Sequence, residues 1–90
     1  MSDSDNALIY LYTTSGCHLC EQAEAVVAPH LSAYSLQIEP VEIADDDALL
    51  DFYGDRIPVI RLAGCDVELG WPFDEALAKE YIEAMLAEAG

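Results

Sequence analysis

The sequence predicts an α/β domain with four strands and three helices in the order β-α-β-α-β-β-α around a mixed sheet. Three observations carry this. Short apolar runs of strand length alternate with segments whose apolar residues recur at spacings of three and four. The first strand-helix-strand unit requires a parallel pair joined by a right-handed crossover. Two short strands flanking Gly64 imply an antiparallel hairpin instead, so the sheet mixes both pairings.

Residues 1–6 (MSDSDN) read as a flexible acidic tail, and residues 7–90 as a single domain. Residues 7–14 (ALIYLYTT) have the length and the Leu, Ile, Tyr and Thr content of a buried strand, and Thr14-Ser15-Gly16 turns the chain. Over residues 18–34, Leu19, Ala23, Val26, Val27, Leu31 and Tyr34 mark one helix face. Pro29 falls inside that pattern and either kinks the helix or ends its regular part near Ala28. Residues 36–43 (LQIEPVEI) alternate as a strand; Pro40 cannot donate to a ladder, so this strand belongs at an edge or carries a bulge. Asp45-Asp46-Asp47 supplies a cap and negative charge for a short helix through Ala48, Leu49, Phe52 and Tyr53, ended by Gly54. Residues 57–63 (IPVIRLA) form a third strand and residues 66–69 (DVEL) a short fourth. After Trp71-Pro72, the residues Phe73, Ala76, Leu77, Tyr81, Ala84, Met85 and Leu86 describe a last helix, with Asp74 and Glu75 in its first turn.

Ninety residues suffice for one modest core, which buries roughly 60–65% of the surface that the unfolded chain exposes. The 18 Asp and Glu against 3 Lys and Arg give a formal charge of −15. That balance argues against nucleic acid, where basic side chains must replace counterions on phosphates. It argues equally against anionic membrane surfaces. No apolar run approaches the length of a membrane span, and the first residues lack the basic and apolar regions of a secretory signal, so a cytoplasmic protein is expected.

The three cysteines, Cys17, Cys20 and Cys65, do not make a secreted disulfide framework, which would carry an even number. Cys17-His18-Leu19-Cys20 sits between a strand and a helix. At the first turn of a helix the backbone N–H groups and the dipole favour a thiolate, and such sites bring thiols to a pKa of roughly 3.5–7.5. Cys20 lies one turn deeper beside Glu21, with Glu24 four residues on, and carboxylates disfavour its ionisation. The asymmetry assigns Cys17 as nucleophile and Cys20 as resolving thiol. A protonated His18 would add positive charge beside the thiolate. The net charge opposes any thiolate, but most of it lies beyond a Debye length of about 8 Å. Downstream, Arg56-Ile57-Pro58-Val59 precedes a strand; a cis Ile57-Pro58 bond, which costs little for X-Pro, would leave the backbone of Ile57 free to pair with an extended substrate.

With LYTTSGCHLC, the helix EQAEAVV, the acidic stretch VEIADDDALLDFYGDRIPV and ELGWPFD, the chain resembles the thioredoxin superfamily, and within it a glutaredoxin-like family of small bacterial proteins, over about residues 7–88. The resemblance implies a thioredoxin-like fold with sheet order 2-1-3-4 and helices on both faces, a cis proline at Pro58, and thiol-disulfide exchange through Cys17 and Cys20. Substrate contacts are expected at Gly16, His18, Ile57, Pro58 and Asp74. The chain departs from ordinary glutaredoxins in three places. Cys-His-Leu-Cys replaces Cys-Pro-Tyr-Cys, residues 12–16 (YTTSG) carry no Lys before the first Cys, and Gly70-Trp71-Pro72-Phe73-Asp74 replaces the Gly-Gly-x-Asp segment. Asp74 stands where that family's Asp meets the glutathione amine. Glutathione is itself a net anion, which a −15 protein does not draw in.

The expected function is a cytoplasmic dithiol oxidoreductase, a monomer with no cofactor or metal of its own, reduced by glutathione or by a reductase. Its partners would be a disulfide-containing protein or a small thiol, and a basic protein suits its charge. Two other classes compete: a redox-silent thioredoxin-fold binding module, and a metal or cluster carrier, although one C-x-x-C falls short of the four ligands of a closed zinc site. The remaining residues have plainer readings. His30 is a helix-end residue, Cys65 a turn residue and Trp71 a packing residue, and Arg56 and Arg61 pair with nearby acids.

Overall fold

The computed structural model describes residues 7–89; the acidic tail at residues 1–6 and the last residue of the expected domain lie outside the described residues. The elements are β1 (Ala7–Thr13), α1 (His18–Ala33), β2 (Leu36–Glu42), a 3-10 turn (Ile43–Asp45), α2 (Asp47–Tyr53), β3 (Val59–Leu62), β4 (Leu69–Gly70) and α3 (Glu75–Ala89). The sheet order is β2-β1-β3-β4. β1 pairs parallel with β2 and antiparallel with β3, and β3 pairs antiparallel with β4. This is the mixed topology that the element order implies. β2 lies at the edge, where Pro40 is tolerated.

The two central strands alternate with period two and bury both faces. Ile9, Leu11, Ile60 and Leu62 face α1 and α3, where they meet Ala23, Val27, Ala78 and Ile82. Tyr12 and Val59 face the other way, with Ile43 and Tyr53. The Tyr12 and Tyr53 rings stack at 4.2 Å between centroids, which holds α2 against the sheet. The Tyr53 hydroxyl donates to the Glu68 carboxylate, and burial together with that acceptor pushes the phenol pKa up. Arg56 Nη2 reaches Glu68 Oε1 at 3.2 Å, the acid pairing expected for Arg56. Among the described residues Arg61 meets no acid: its Nε donates to the Tyr12 hydroxyl at 3.1 Å and its Nη1 to the Cys65 carbonyl at 2.9 Å.

Several boundaries differ from the sequence reading. Of the two fates open at Pro29, a kink or an end, the end does not occur: α1 continues to Ala33 and closes with the Tyr34 N–H on the His30 carbonyl at 3.1 Å. β3 begins only at Val59, and Gly54 closes α2 with helical rather than left-handed dihedrals. Within the Asp45–Asp47 run it is Asp46 that caps α2, its Oδ1 accepting from the N–H groups of Ala48 and Leu49 at 2.8 and 3.3 Å.

The largest correction concerns the fourth strand, expected over residues 66–69 and found only at Leu69–Gly70. Extending the pairing of Ile60 with Leu69 would set Leu62 opposite Val67. The Tyr81 hydroxyl occupies that position instead, accepting from the Leu62 N–H at 3.0 Å and donating to the Val67 carbonyl at 2.5 Å. A phenol from α3 thus replaces a rung of the ladder, and the hairpin opens around Gly64 (φ +88°). Cys65 sits in this turn, yet is buried, with its Sγ 3.8 Å from the Met85 carbonyl.

Tyr81→Phe would leave a buried N–H and a carbonyl without their shared partner. The expected loss of stability is about 1–3 kcal/mol, measured as a lower urea midpoint with an unchanged slope.

Candidate functional site

The end of β1 and the start of α1 build the site. Thr14 to Gly16 turn the chain, with the Cys17 N–H on the Thr14 carbonyl at 3.3 Å. Gly16 has φ +77°, a left-handed conformation that disfavours any side chain, although the space around it is open. Cys17 then takes an extended conformation (φ −84°, ψ 104°) and caps α1. Its Sγ accepts from the Cys20 N–H at 3.1 Å, and its carbonyl accepts from the Glu21 N–H at 3.3 Å. The position that in other helices holds a Ser or Asp oxygen is filled by sulfur.

Cys17 and Cys20 are joined by a disulfide, with Cα atoms 5.2 Å apart. Cys17 is half-exposed and Cys20 is buried. One sulfur therefore faces solvent at the positive end of the helix, while its partner lies beneath. His18 is the first residue of α1 and is exposed.

A cleft of about 140 Å³ opens beside the disulfide. Gly16, Cys17 and Cys20 line it together with Thr13, Thr14, Leu11, Ile38 and Pro40, and with Glu21 and Glu24 from α1. Of the site residues expected from sequence, the cleft gathers Gly16, Cys17 and Cys20. Ile57 and Pro58 do not line it, but the topology brings them to the same end of the sheet. Tyr12 pairs with Val59 antiparallel, so the next position in that register sets Pro58 opposite Thr13. The Ile57–Pro58 bond is cis. The Ile57 N–H is not free, since it donates to the Tyr53 carbonyl at 3.1 Å, and the Pro58 carbonyl accepts from Trp71 at 3.0 Å. Only the Ile57 carbonyl has no partner among the described residues, so the expected substrate-pairing edge narrows to one acceptor. Asp74 caps α3 through its Oδ1, which accepts from the Leu77 N–H at 2.9 Å, and it does not line the cleft. Trp71 packs on the core with its ring against Phe73 at 5.1 Å. His30 lies in the last turn of α1, as expected. Among the described residues, no group of three or more His, Cys, Asp or Glu is placed to hold a metal.

Sequence reasoning missed Glu42. Strand register pairs it with Thr13, one residue before the redox turn. Its carboxylate accepts from the Ala44 N–H at 3.1 Å, and the polar groups of Thr14, Ala44 and Ser15 beside it lower its pKa below the ordinary 4.5. The turn before Cys17 thus lies beside a carboxylate at the end of β2. The parallel pairing of β1 with β2 was the only signal that could have revealed it.

The sequence matches the Glutaredoxin-like domain (DUF836) over residues 8–83. Among solved structures, the crystal structure of the structural genomics target XcR50 from X. campestris is 38% identical with a TM-score of 0.73, covering 84% of this chain and 96% of that one. Protein Ne2328 from Nitrosomonas europaea, solved by NMR, is 26% identical with a TM-score of 0.71, covering 83% and 89%. A mutant thioredoxin from Halobacterium salinarum, 23% identical with a TM-score of 0.68 over 92% of this chain and 77% of that one, shares the fold. No curated protein matches.

A carboxylate held below its ordinary pKa contributes stability that is fully present above its unfolded value, near 4.5, and is lost as pH falls through the lower folded value. The stability difference between the native protein and Glu42→Gln should therefore be larger at pH 7 than at pH 3, measured by urea unfolding at each pH. The fold, the cysteine-capped helix and the match over residues 8–83 together place the chain in the glutaredoxin-like domain (DUF836) family, with a thioredoxin fold.

Proposed function

We propose that the protein is a thiol-disulfide oxidoreductase in which Cys17 is the attacking and Cys20 the resolving thiol. The observation that carries this reading is the position of the Cys17 Sγ, half-exposed at the start of α1 and accepting the Cys20 N–H at 3.1 Å. A hydrogen bond to sulfur and the positive end of the helix dipole both stabilise negative charge there. The buried Cys20 is poised to displace whatever Cys17 has captured.

In the reduced protein, the Cys17 thiolate attacks one sulfur of a substrate disulfide. That S–S bond breaks, a mixed disulfide forms at Cys17, and the departing thiolate takes up a proton. Cys20 then loses its proton and attacks the Cys17 Sγ. The second substrate thiolate leaves and is protonated, and the protein is left with the Cys17–Cys20 disulfide of the present structure. The protein dithiol supplies the substrate with two electrons; of the two protons, one is released by Cys20 and one comes from solvent, because Cys17 reacts as the thiolate. Restoring the dithiol requires an external thiol reductant, either a dithiol protein or two equivalents of a monothiol such as glutathione. A reducing compartment such as the cytoplasm suits that cycle. Among the described residues no helix is long and apolar enough to cross a membrane.

The test is the reduction potential of the pair, obtained by equilibration in glutathione buffers and trapping of free thiols. A value between roughly −270 and −120 mV is expected for a working oxidoreductase. Cys17→Ser should abolish exchange, whereas Cys20→Ser should accumulate a mixed disulfide at Cys17, detectable by intact mass. Failure of a Cys17–Cys20 disulfide to form in oxidising buffer would overturn the reading.

A further inference from the structure

The cleft beside the disulfide has a chemical character that the exchange reaction does not require. One wall is apolar, built from the buried Leu11, the half-buried Ile38 and the exposed Pro40. Its outer wall carries the exposed Glu21 and Glu24. Positions 17, 20, 21 and 24 follow the i, i+3, i+4, i+7 spacing, so α1 presents both sulfurs and both carboxylates on one stripe. The chain has only three Lys and Arg residues, and none of them lines the cleft. Arg56 is engaged by Glu68, and Arg61 by Tyr12 and Cys65. The cleft therefore offers an apolar surface that ends in negative charge, within the wall formed by the reacting disulfide.

A side chain that complements this has an aliphatic stem and a cationic head. Lysine and arginine bury such stems against apolar surface while the charged head stays near the solvent edge. The volume of about 140 Å³ accommodates one side chain of that size, not a folded segment. The cleft lies on the β2 side of Cys17, whereas Pro58 lies toward β3, so this contact is separate from any made at Ile57. We infer that the cleft is a specificity subsite for a Lys or Arg side chain next to the substrate cysteine, with Glu21 and Glu24 as the residues that select it. The inference rests on the thiol-disulfide reading of the same site and names its substrate class: disulfides flanked by basic residues, in preference to anionic ones.

The experiment compares two disulfide-linked peptide dimers with blocked termini, one carrying Lys and the other Glu beside the cysteine. Each is offered to the reduced protein alongside the neutral disulfide of mercaptoethanol. The readout is the ratio of rate constants for the Lys and Glu peptides, so a general change in thiol reactivity cancels. Exposed ion pairs each change a rate by about 1.4–5-fold. The expected ratio in the native protein is at least about 5, falling by about 3-fold or more in Glu21→Gln/Glu24→Gln. Glu80→Gln/Glu88→Gln removes the same charge from exposed positions of α3 outside the cleft and should leave the ratio unchanged. A ratio near one, a ratio that survives in Glu21→Gln/Glu24→Gln, or an equal fall in both double variants would overturn the subsite, even while the neutral disulfide is still reduced. If no disulfide, neutral or charged, is reduced, the oxidoreductase reading fails and the subsite with it.

Discussion

The antiparallel pairing of β1 with β3 is the constraint on which the rest of the molecule depends. Ile9 and Leu11 pair with Leu62 and Ile60, and all four are buried against α1 and α3. A slip of one residue would turn these side chains to the opposite face and expose or mismatch both cores. The same register sets where β1 delivers the chain to Gly16 and Cys17, and where β3 receives it from Pro58. Two segments 40 residues apart in sequence meet at one end of the sheet because the hydrophobic alternation permits no other pairing.

The electrostatics of the site are a contest between short and long range. A chain with charge −15 disfavours any added negative charge. Against that stand a backbone N–H at 3.1 Å from the Cys17 sulfur and the end of a 16-residue helix. Contacts at hydrogen-bond range escape the screening that attenuates distant charges, and the proposed function has the local geometry prevail. The nearer carboxylates act differently. Glu42 spends its charge on the turn before Cys17, while Glu21 and Glu24 remain at the solvent side of the cleft. On the proposed reading, the acidity that works against the thiolate also selects among the substrates that approach it.

Most of the fold was legible because its signals are local. The strand at β1, the i, i+3, i+4 stripe of α1, the edge position demanded by Pro40 and the cysteine at a helix start all follow from neighbouring residues. The largest misreading came from a distant residue that overrode a local preference. Residues 66–69 look like a strand, yet Tyr81 from α3 takes the place of a ladder rung. Pro29 left a kink or a helix end open; α1 runs on to Ala33, where Tyr34 hydrogen-bonds Glu83 of α3 at 2.5 Å. Ile57 looked free, but its N–H was already committed to Tyr53. In the site, the cysteines announced themselves, whereas Glu42 and the apolar wall of the cleft depend on strand pairing and could not be read from spacing alone.

The two outer strands have a consequence for how the protein behaves at high concentration. An open sheet edge templates further strands, the first step toward cross-β growth. Here one edge strand, β2, holds Glu39 and Glu42 and a proline with no N–H to offer, and the other, β4, is only two residues long. Neither edge presents a run of backbone long and unbroken enough for another chain to zip onto. Lateral growth of the sheet is disfavoured at both sides, an arrangement that works against polymerisation through the backbone when the molecule is crowded.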